Sequence, residues 1–316
     1  MLSETVKTSL RILGPELTDQ LNWADAVEAL RTGHTLPRAA ISDMLMPMAE
    51  GELLTRSAAI SGLGAGTKSV TIRPNNPALS PPAPSVQGLF TLFDEDLGHP
   101  VALIDGALLT FWKTVADSLL GARYLAPSDA KSLAVIGTGP IAKGLLEGYV
   151  TLFPDLTDIR IWGRTRERAQ AHAEAVPFPL TVCDTAENAV RGADIVTSAT
   201  ASRSPVIKGN WVKPGAHVDL VGAHGPDMRE ADDLLISSAS LFVDSRETVL
   251  EHIGEFRIPI EKRLISPANV QGDLYDLVMG DSHRRGDDEI TLFKNGGGAH
   301  LDLMMAFYCL QQSKRL

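Results

Sequence analysis

Two helical patterns stand out in the first part of the chain. In residues 21–32, Trp23, Val27 and Leu30 recur at the spacing that places side chains on one face of a helix. A longer pattern predicts a helix over residues 109–125, which the following Pro127 ends.

The segments between these helices have the character of β-strands. Residues 69–72 and 88–93 are β-prone runs, and residues 90–105 predict a hairpin. Residues 73–84 contain five prolines, which predict an irregular loop. This part of the chain is therefore predicted to be an α+β domain.

The second part of the chain follows a different pattern, in which short apolar runs alternate with helical segments. The runs are residues 133–136, 159–162, 195–198, 217–221 and 241–243. Strands separated by helices predict a doubly wound parallel sheet of the Rossmann type. A last helix, over residues 299–312, is predicted to return to the N-terminal domain. We therefore expect an α/β protein with domains at residues 1–126 plus 299–316 and at residues 127–298.

Composition narrows the classes of partner. The 316-residue chain has a formal net charge of −10 and an isoelectric point near 5.3, which disfavours nucleic acid and anionic membranes. Residues 1–15 lack a signal-peptide core, and no apolar run reaches bilayer length, so we expect a cytoplasmic protein. Two distant cysteines, Cys183 and Cys309, suit a reducing compartment and offer no metal framework.

A glycine turn follows the first Rossmann strand. Its pattern is G-x-G-x-x-A, in which the first glycine permits a tight turn, the second a close approach to a pyrophosphate, and the alanine close helix packing. The next helix would direct its N–H groups at the phosphates. The turn predicts a dinucleotide site that includes Gly137, Thr138, Gly139, Pro140 and Ile141.

The end of the second Rossmann strand bears on the choice of nucleotide. An NAD site usually has an acidic residue there, for the ribose hydroxyls. This chain has instead Gly163, Arg164, Thr165 and Arg166. Arg164 is able to pair with a 2′-phosphate or to stack on adenine, and a solvated basic turn is the alternative. NADPH is favoured, with NADH as the other candidate.

Two later segments have small residues where ligands bind. The loop after the third predicted strand contains Ser198, Ala199 and Thr200, which leave room for a cofactor, unless it is only a polar loop. Residues 295–298 are Asn-Gly-Gly-Gly, in which Gly297 contacts the nicotinamide amide, hinges the domains, or simply begins a helix. His300 and Asp302 lack a third ligand at suitable spacing, so no metal is expected.

Four cations fall in or beside the predicted core elements of the first domain: Arg56, Lys68, Arg73 and Lys113. In an acidic protein, cations beside apolar strands need anionic partners. Those partners are either an anionic substrate or local acids such as Glu50, Glu52 and Asp94.

The chain resembles the ornithine cyclodeaminase/mu-crystallin family over nearly its whole length. The resemblance rests on ordered segments that begin at Arg56, Gly66, Asp105, Lys113, Val135, Ile161, Val221 and Asn295. It implies a homodimer whose N-terminal half and last helix form the substrate and dimerisation domain. Members include cyclodeaminases, alanine dehydrogenases, reductases of ketimines, pyrroline-2-carboxylate and iminosuccinate, and mu-crystallins that bind NADPH and thyroid hormone.

The resemblance also implies roles for individual residues. Arg56 and Lys68 match positions that hold the substrate carboxylate. Lys113 replaces an arginine there, which keeps the charge but loses the bidentate fork. Thr114 matches a cofactor-binding position. The segment that contains Val221 and Gly222 matches another.

A second departure from the family lies in that segment. His224 stands where cyclodeaminases have a catalytic aspartate, which disfavours cyclisation of ornithine. The histidine either relays a proton or packs against the nicotinamide.

The sequence thus predicts an NAD(P)H-dependent reductase of 2-imino acids that yields an L-amino acid, with Arg56, Lys68 and His224 as catalytic candidates. A second carboxylate on the substrate, as in iminosuccinate, would explain Arg73. The alternatives are an amino acid dehydrogenase like alanine dehydrogenase, an ornithine cyclodeaminase, and a non-catalytic NADPH-dependent binding protein of the mu-crystallin type.

Overall fold

The computed structural model describes residues 10–313, which form two compact units. One unit contains the residues up to Lys113 and those from Gly298 onward, and the other runs from Thr114 to Gly297. The division falls between two neighbouring residues of a single helix, α2 (Gly106–Leu125).

The first unit contains a six-stranded sheet. Its strands are β1 (Arg11–Leu13), β2 (Ala40–Met48), β3 (Gly51–Ile60), β4 (Gly64–Ile72), β5 (Val86–Phe93) and β6 (Pro100–Asp105). The order is β1-β6-β5-β4-β3-β2, antiparallel except for the parallel pair β1 and β6. The register places Arg56 of β3 opposite Lys68 of β4. Residues directly opposite each other share one face of a sheet, so these two cations are neighbours on one face.

Two helices besides α2 complete this unit. They are α1 (Trp23–Gly33) and α10 (Ala299–Ser313). Helix α10 packs against α1 and against strands β2 to β5, as predicted for the returning last helix. Gly33 allows the close packing of α1 and α10, because a Cβ there would lie 2.4 Å from the Cγ of Met304.

The second unit contains an eight-stranded parallel sheet in the order β13-β12-β14-β11-β10-β7-β8-β9. The strands are β7 (Ser132–Ile136), β8 (Asp158–Trp162), β9 (Thr181–Val182), β10 (Ile195–Ser198), β11 (His217–Leu220), β12 (Ser240–Val243), β13 (Val270–Gly272) and β14 (Thr291–Lys294). Buried side chains such as Val196, Val218, Phe256 and Leu292 form its core. The predicted Rossmann class is confirmed.

Helices connect these strands. They are α3 (Pro140–Leu152), α4 (Arg166–Ala175), α5 (Ala186–Val190), α6 (Asp233–Ser238), α7 (Arg246–Val249), α8 (Gly254–Glu261) and α9 (Leu274–Met279). Short 3-10 turns lie at Pro15–Gln20, Asn76–Ala78, Gly209–Trp211 and Pro267–Asn269. Within residues 10–313, no helix combines the length and the apolar character that a membrane crossing requires.

The predicted strands and long helices agree with the structure to within a few residues, but six strands have no counterpart among them: β1, β2, β3, β9, β13 and β14. Strand β14 lies in the interior of the parallel sheet, yet it is short and ends in a lysine, Lys294, which is typical of a surface segment. Strand β2 contains Asp43 and Pro47. It lies at the edge of its sheet, where a proline is tolerated because one side of the strand has no hydrogen-bonding neighbour.

Candidate functional site

The first candidate site of the Rossmann unit is the glycine turn after β7. Gly137 has a φ of +128°, and a Cβ there would lie 2.6 Å from the carbonyl oxygen of Ala199. Both the backbone conformation and the close approach require glycine. The side chain of Ala142 is fully buried behind the turn, as the G-x-G-x-x-A motif predicts.

The space beside this turn is open at Gly139. This glycine is the N-cap of α3, whose first helical residue is Pro140. A Cβ at Gly139 would meet no atom within 4 Å, so the backbone at the start of the helix is accessible. The N–H groups of a helix N-terminus and the helix dipole favour an anion. This open N-terminus after a buried parallel strand fits the pyrophosphate of a dinucleotide.

The end of β8 has the predicted basic character. Gly163 lies against the first turn, since a Cβ there would come within 2.4 Å of Thr138 Cγ2. Arg166 is paired with Asp184. Arg164 is exposed, and it makes no hydrogen bond or ion pair with any residue that the structure describes. Its guanidinium is therefore available for a ligand.

The loops that follow β10 and β11 are held by one carboxylate. Glu230 is fully buried, and its Oε1 accepts hydrogen bonds from Ser198 Oγ at 2.6 Å and from the Thr200 amide at 2.7 Å. Its Oε2 accepts from the amides of Gly222 and Ala223. The hydroxyl of Ser198 is buried and bonded to Glu230, so the structure does not present it as a cofactor ligand.

A second carboxylate holds the loop after β14. Asp244 accepts hydrogen bonds from the amides of Gly296, at 2.9 Å, and of Gly297. Gly297 has a φ of +71°, which favours glycine. Nearby, the Asn295 side chain donates to the Thr114 carbonyl at 2.8 Å and to Ser118 Oγ at 3.0 Å.

A buried lysine lies among these carboxylates. Lys294 Nζ donates to the carbonyl of Leu220 at 2.9 Å and to the carbonyl of Asn295. Burial lowers the pKa of Lys294, an effect that four neighbouring carboxylates oppose: Glu230, Glu255, Asp244 and Asp219. Burial and the charge of Glu230 raise the pKa of Glu255 to about 7. Burial also raises the pKa of Asp219 to about 6.

In the first unit, Lys68 makes a buried ion pair. Its Nζ donates to Asp302 Oδ1 at 3.0 Å and to Thr110 Oγ1 at 3.2 Å, while its side chain is 7% exposed and that of Asp302 is 0% exposed. An ammonium has three N–H donors. Two are therefore directed at these partners, which leaves one for another acceptor.

Arg56 has an acidic partner as well. Its Nε donates to Asp43 Oδ2 at 3.1 Å, and a second contact joins the same carboxylate to the guanidinium. Asp43 lies opposite Arg56 in the register of β2 and β3. The arginine retains partial exposure, with 22% of its side chain accessible.

The first turn of α10, which contains His300, has several positively charged side chains around it. Burial, followed by the positive charges of His34, Lys113, Arg56 and Arg38, lowers the pKa of His300 well below its usual value. The ring is consequently neutral at pH 7. We use the term cation cluster for Arg38, Arg56, Lys68 and Lys113, which lie near this turn or pair with it. Such a concentration of positive charge favours an anionic ligand.

The structure does not bring Arg73 into this cluster. Arg73 follows the end of β4, is 41% exposed, and has its Nη1 at 3.9 Å from Glu50 Oε2. Contact with a local acid such as Glu50 is one of the two predicted alternatives, and Arg73 lies beside that acid at the surface.

His224 lies in the loop after β11 and is exposed. Its Nδ1 lies 3.0 Å from the carbonyl oxygen of Gly222. A carbonyl oxygen only accepts, so Nδ1 donates in this contact and Nε2 is directed away from it. Either predicted role, as a proton relay or as a packing group, is compatible with this orientation.

Sequence reasoning missed the carboxylates that hold these groups. Asp43, Asp302, Glu230 and Asp244 are distant in sequence from most of their partners; Asp302, for example, lies 234 positions from Lys68. The one signal in the sequence was the position of Asp302 four residues after the glycine run, in an otherwise apolar helix. An isolated acid in an apolar helix indicates a buried charge that needs a partner.

The profile of the ornithine cyclodeaminase/mu-crystallin family matches residues 39–314. A Delta(1)-pyrroline-2-carboxylate reductase of Paracoccus denitrificans is 48% identical over 297 residues, which are 93% of each chain.

Solved structures share the whole fold. A Delta(1)-pyrroline-2-carboxylate reductase of Thermococcus litoralis, in complex with NADH and L-proline, has a TM-score of 0.88 at 25% identity and covers 96% of this chain and 98% of its own. An archaeal alanine dehydrogenase dimer with bound NAD has a TM-score of 0.88 at 28% identity, with 97% of each chain covered. The iminosuccinate reductase of Paracoccus denitrificans, in complex with NAD+, has a TM-score of 0.88 at 25% identity, again with 97% of each chain covered. The glycine turn, the cation cluster and these matches together show that the chain belongs to the ornithine cyclodeaminase/mu-crystallin family.

Proposed function

We propose that this protein is an NAD(P)H-dependent reductase of 2-imino acids and that its substrate is Δ1-pyrroline-2-carboxylate, which it reduces to L-proline. The observation that carries the proposal is the 48% identity, over 93% of both chains, to a pyrroline-2-carboxylate reductase. The solved relative with NADH and L-proline has the same fold. The open helix N-terminus at Gly139 and the cation cluster supply sites for the two anionic ligands that this reaction needs.

The cofactor is NADH or NADPH, bound at the turn that contains Gly137 and Gly139. When bound, its reduced nicotinamide supplies the hydride. The amides at the start of α3 hold the pyrophosphate. The loops that contain Thr200, Gly222 and Gly297 border the nicotinamide half, because ligands of doubly wound sheets lie outside the carboxyl ends of the strands.

The cation cluster binds the substrate carboxylate. Arg56 keeps part of its guanidinium exposed, and Lys68 has one N–H donor that is not directed at Asp302 or Thr110. Lys113 adds a positive charge to the same region. Reduction of a C=N bond requires one proton at nitrogen, and we assign the remaining N–H of Lys68 to that nitrogen, so that Lys68 attracts the carboxylate through its charge while Arg56 donates hydrogen bonds to it.

The cyclic substrate is favoured over iminosuccinate by two observations. Arg73, the cation that a second substrate carboxylate would require, pairs with Glu50 at the surface. In addition, two Paracoccus denitrificans proteins differ in their similarity to this chain, with 48% identity for the pyrroline-2-carboxylate reductase and 25% for the iminosuccinate reductase. His224, in the position of the cyclodeaminase aspartate, disfavours cyclisation.

A substrate panel tests the proposal. We expect oxidation of NADH or NADPH with pyrroline-2-carboxylate at a kcat/KM at least about tenfold above that with pyruvate plus ammonia or oxaloacetate plus ammonia. Proline should be the product by chromatography. Preference for pyruvate plus ammonia would indicate an alanine dehydrogenase instead. Cofactor binding without turnover of any substrate would indicate a binding protein.

Arg164 gives a test of nucleotide preference. Its free guanidinium is expected to pair with the 2′-phosphate of NADPH, and a charge-assisted pair of this kind contributes about 1.5–3 kcal/mol. Arg164→Ala should therefore lower kcat/KM for NADPH by about 10- to 100-fold and that for NADH by no more than about threefold. Arg168→Ala, at an exposed arginine within α4, is the control. Equal losses with both nucleotides would contradict this role.

The assembly proposed is a homodimer in the cytoplasm. Strand β2 lies at the edge of its sheet and exposes Met44, Leu45, Met46 and Met48, and a bare apolar edge of this kind is normally covered by a partner. A structural relative was solved as a dimer. The two cysteines are free thiols, which suits a reducing compartment. Light scattering that gave the mass of a monomer would contradict the dimer.

A further inference from the structure

The two loops after β10 and β11 are joined through a single side chain, Glu230. Oε1 accepts three hydrogen bonds from the end of β10 and the loop after it, from Ser198 Oγ at 2.6 Å, the Thr200 amide at 2.7 Å and Thr200 Oγ1 at 2.8 Å. Oε2 takes two from the second loop, through the amides of Gly222 and Ala223. The carboxylate thus uses each oxygen for a different strand end.

The loops are also in direct contact. A Cβ at Gly222 would lie 2.0 Å from the carbonyl oxygen of Thr200, so a displacement of either loop must move the other. The backbone of Glu230 is itself fixed, because its N–H donates to Glu255 at 2.6 Å and its carbonyl accepts from Val206 and Ile207. Glu230 is therefore a rigid link between two adjacent strand ends.

We propose that Glu230 is a positioning residue for the nicotinamide half of the cofactor. It is fully buried and acts through the two loops, which it holds at a fixed separation, and not by contact with the ligand. The inference rests on the proposed function, since it requires that these loops border the nicotinamide. Glu230 has no proposed role at the adenine half of the cofactor, which would bind near β7 and β8.

Glu230→Gln tests this inference with little change in volume. An amide presents one oxygen and one NH₂ group, so the donors of one of the two loops must face another donor. We expect kcat to fall by about 10- to 100-fold, because a displacement of about 1 Å at a reacting group costs on the order of 100-fold. Affinity for NADH, measured by fluorescence, should fall by about tenfold. Affinity for ADP-ribose, which lacks the nicotinamide, should stay within about twofold of wild type.

Glu289→Gln is the matched control. Glu289 also accepts hydrogen bonds from a serine hydroxyl, that of Ser240, and from a backbone amide, that of Arg285. These bonds lie beside the first residue of β12, at the amino end of the strand and away from the proposed nicotinamide loops. This variant should keep both affinities and kcat at the wild-type level.

Each outcome is informative. Wild-type kcat and NADH affinity in Glu230→Gln would overturn the inference, and so would equal losses for NADH and ADP-ribose. Should this variant not fold, Ser198→Ala removes one of the three bonds to Oε1, and we expect a loss of about threefold that is selective for NADH; no change there would also overturn the inference. Failure of the wild-type protein to bind NADH at all would instead refute the proposed function.

Discussion

Replacement of Lys68 by methionine is expected to lower kcat/KM for pyrroline-2-carboxylate by about 100- to 10,000-fold, the range that a positioned proton donor usually contributes. The ammonium of Lys68 carries one of the charges that bind the substrate carboxylate in our proposal. Affinity for NADH, measured separately by fluorescence, should remain within about twofold.

The same replacement leaves Asp302 buried without its cation, which costs about 3–5 kcal/mol of stability. The double variant Lys68→Met/Asp302→Asn removes both charges and should regain most of the melting temperature without regaining activity. Lys131→Met, at an exposed lysine paired with Asp155, is the control for loss of a surface charge. Turnover within about threefold of wild type in the folded double variant would show that Lys68 is not part of the site.

Gly139→Asp is expected to weaken binding of NADH and NADPH by about 5- to 1,000-fold. A carboxylate beside the pyrophosphate meets a repulsion of about 1–4 kcal/mol at a separation of about 4 Å. The fold should be unaffected, because a Cβ at Gly139 meets no atom within 4 Å and its φ of −84° is accessible to any residue. Isothermal titration with each nucleotide measures the effect.

Gly286→Asp provides the matched control for this experiment. Gly286 also has open space around a Cβ and lies in the loop before β14 rather than at the glycine turn. This variant adds the same charge to the same unit, so its nucleotide affinity should stay within about twofold of wild type. Unchanged affinity in both variants would mean that the pyrophosphate does not bind at Gly139.

Local sequence was sufficient for much of the fold. Short apolar runs separated by helical segments predicted the parallel sheet, and the glycine turn predicted the conformation observed at Gly137. One βαβ unit spans about 30 residues, so its alternation of strand and helix and its glycine turn are visible in the local sequence, although neighbouring strands of the sheet pair across longer separations. The sequence pattern did not predict strand β14, because its lysine, Lys294, is buried by contacts with residues that are distant in sequence.

The candidate cations were predicted, but their partners were not. Arg56 and Lys68 lie on neighbouring strands, so the hairpin register alone places them side by side. Asp302 reaches Lys68 from a helix at the other end of the chain. Arg73 differs from them only in its position just past the end of β4, where it meets Glu50 at the surface.

The Rossmann class, the glycine turn and the identity of the cations follow from the sequence, because periodicity, backbone conformation and side-chain charge are local properties. Which of these charges are neutralised, and which loops are held together, depends on the folded chain as a whole. Those outcomes depend on carboxylates such as Asp302 and Glu230, which long-range packing removes from water. A buried charge is stable only with its partner nearby, so the fold fixes each pair in a way that no single segment specifies.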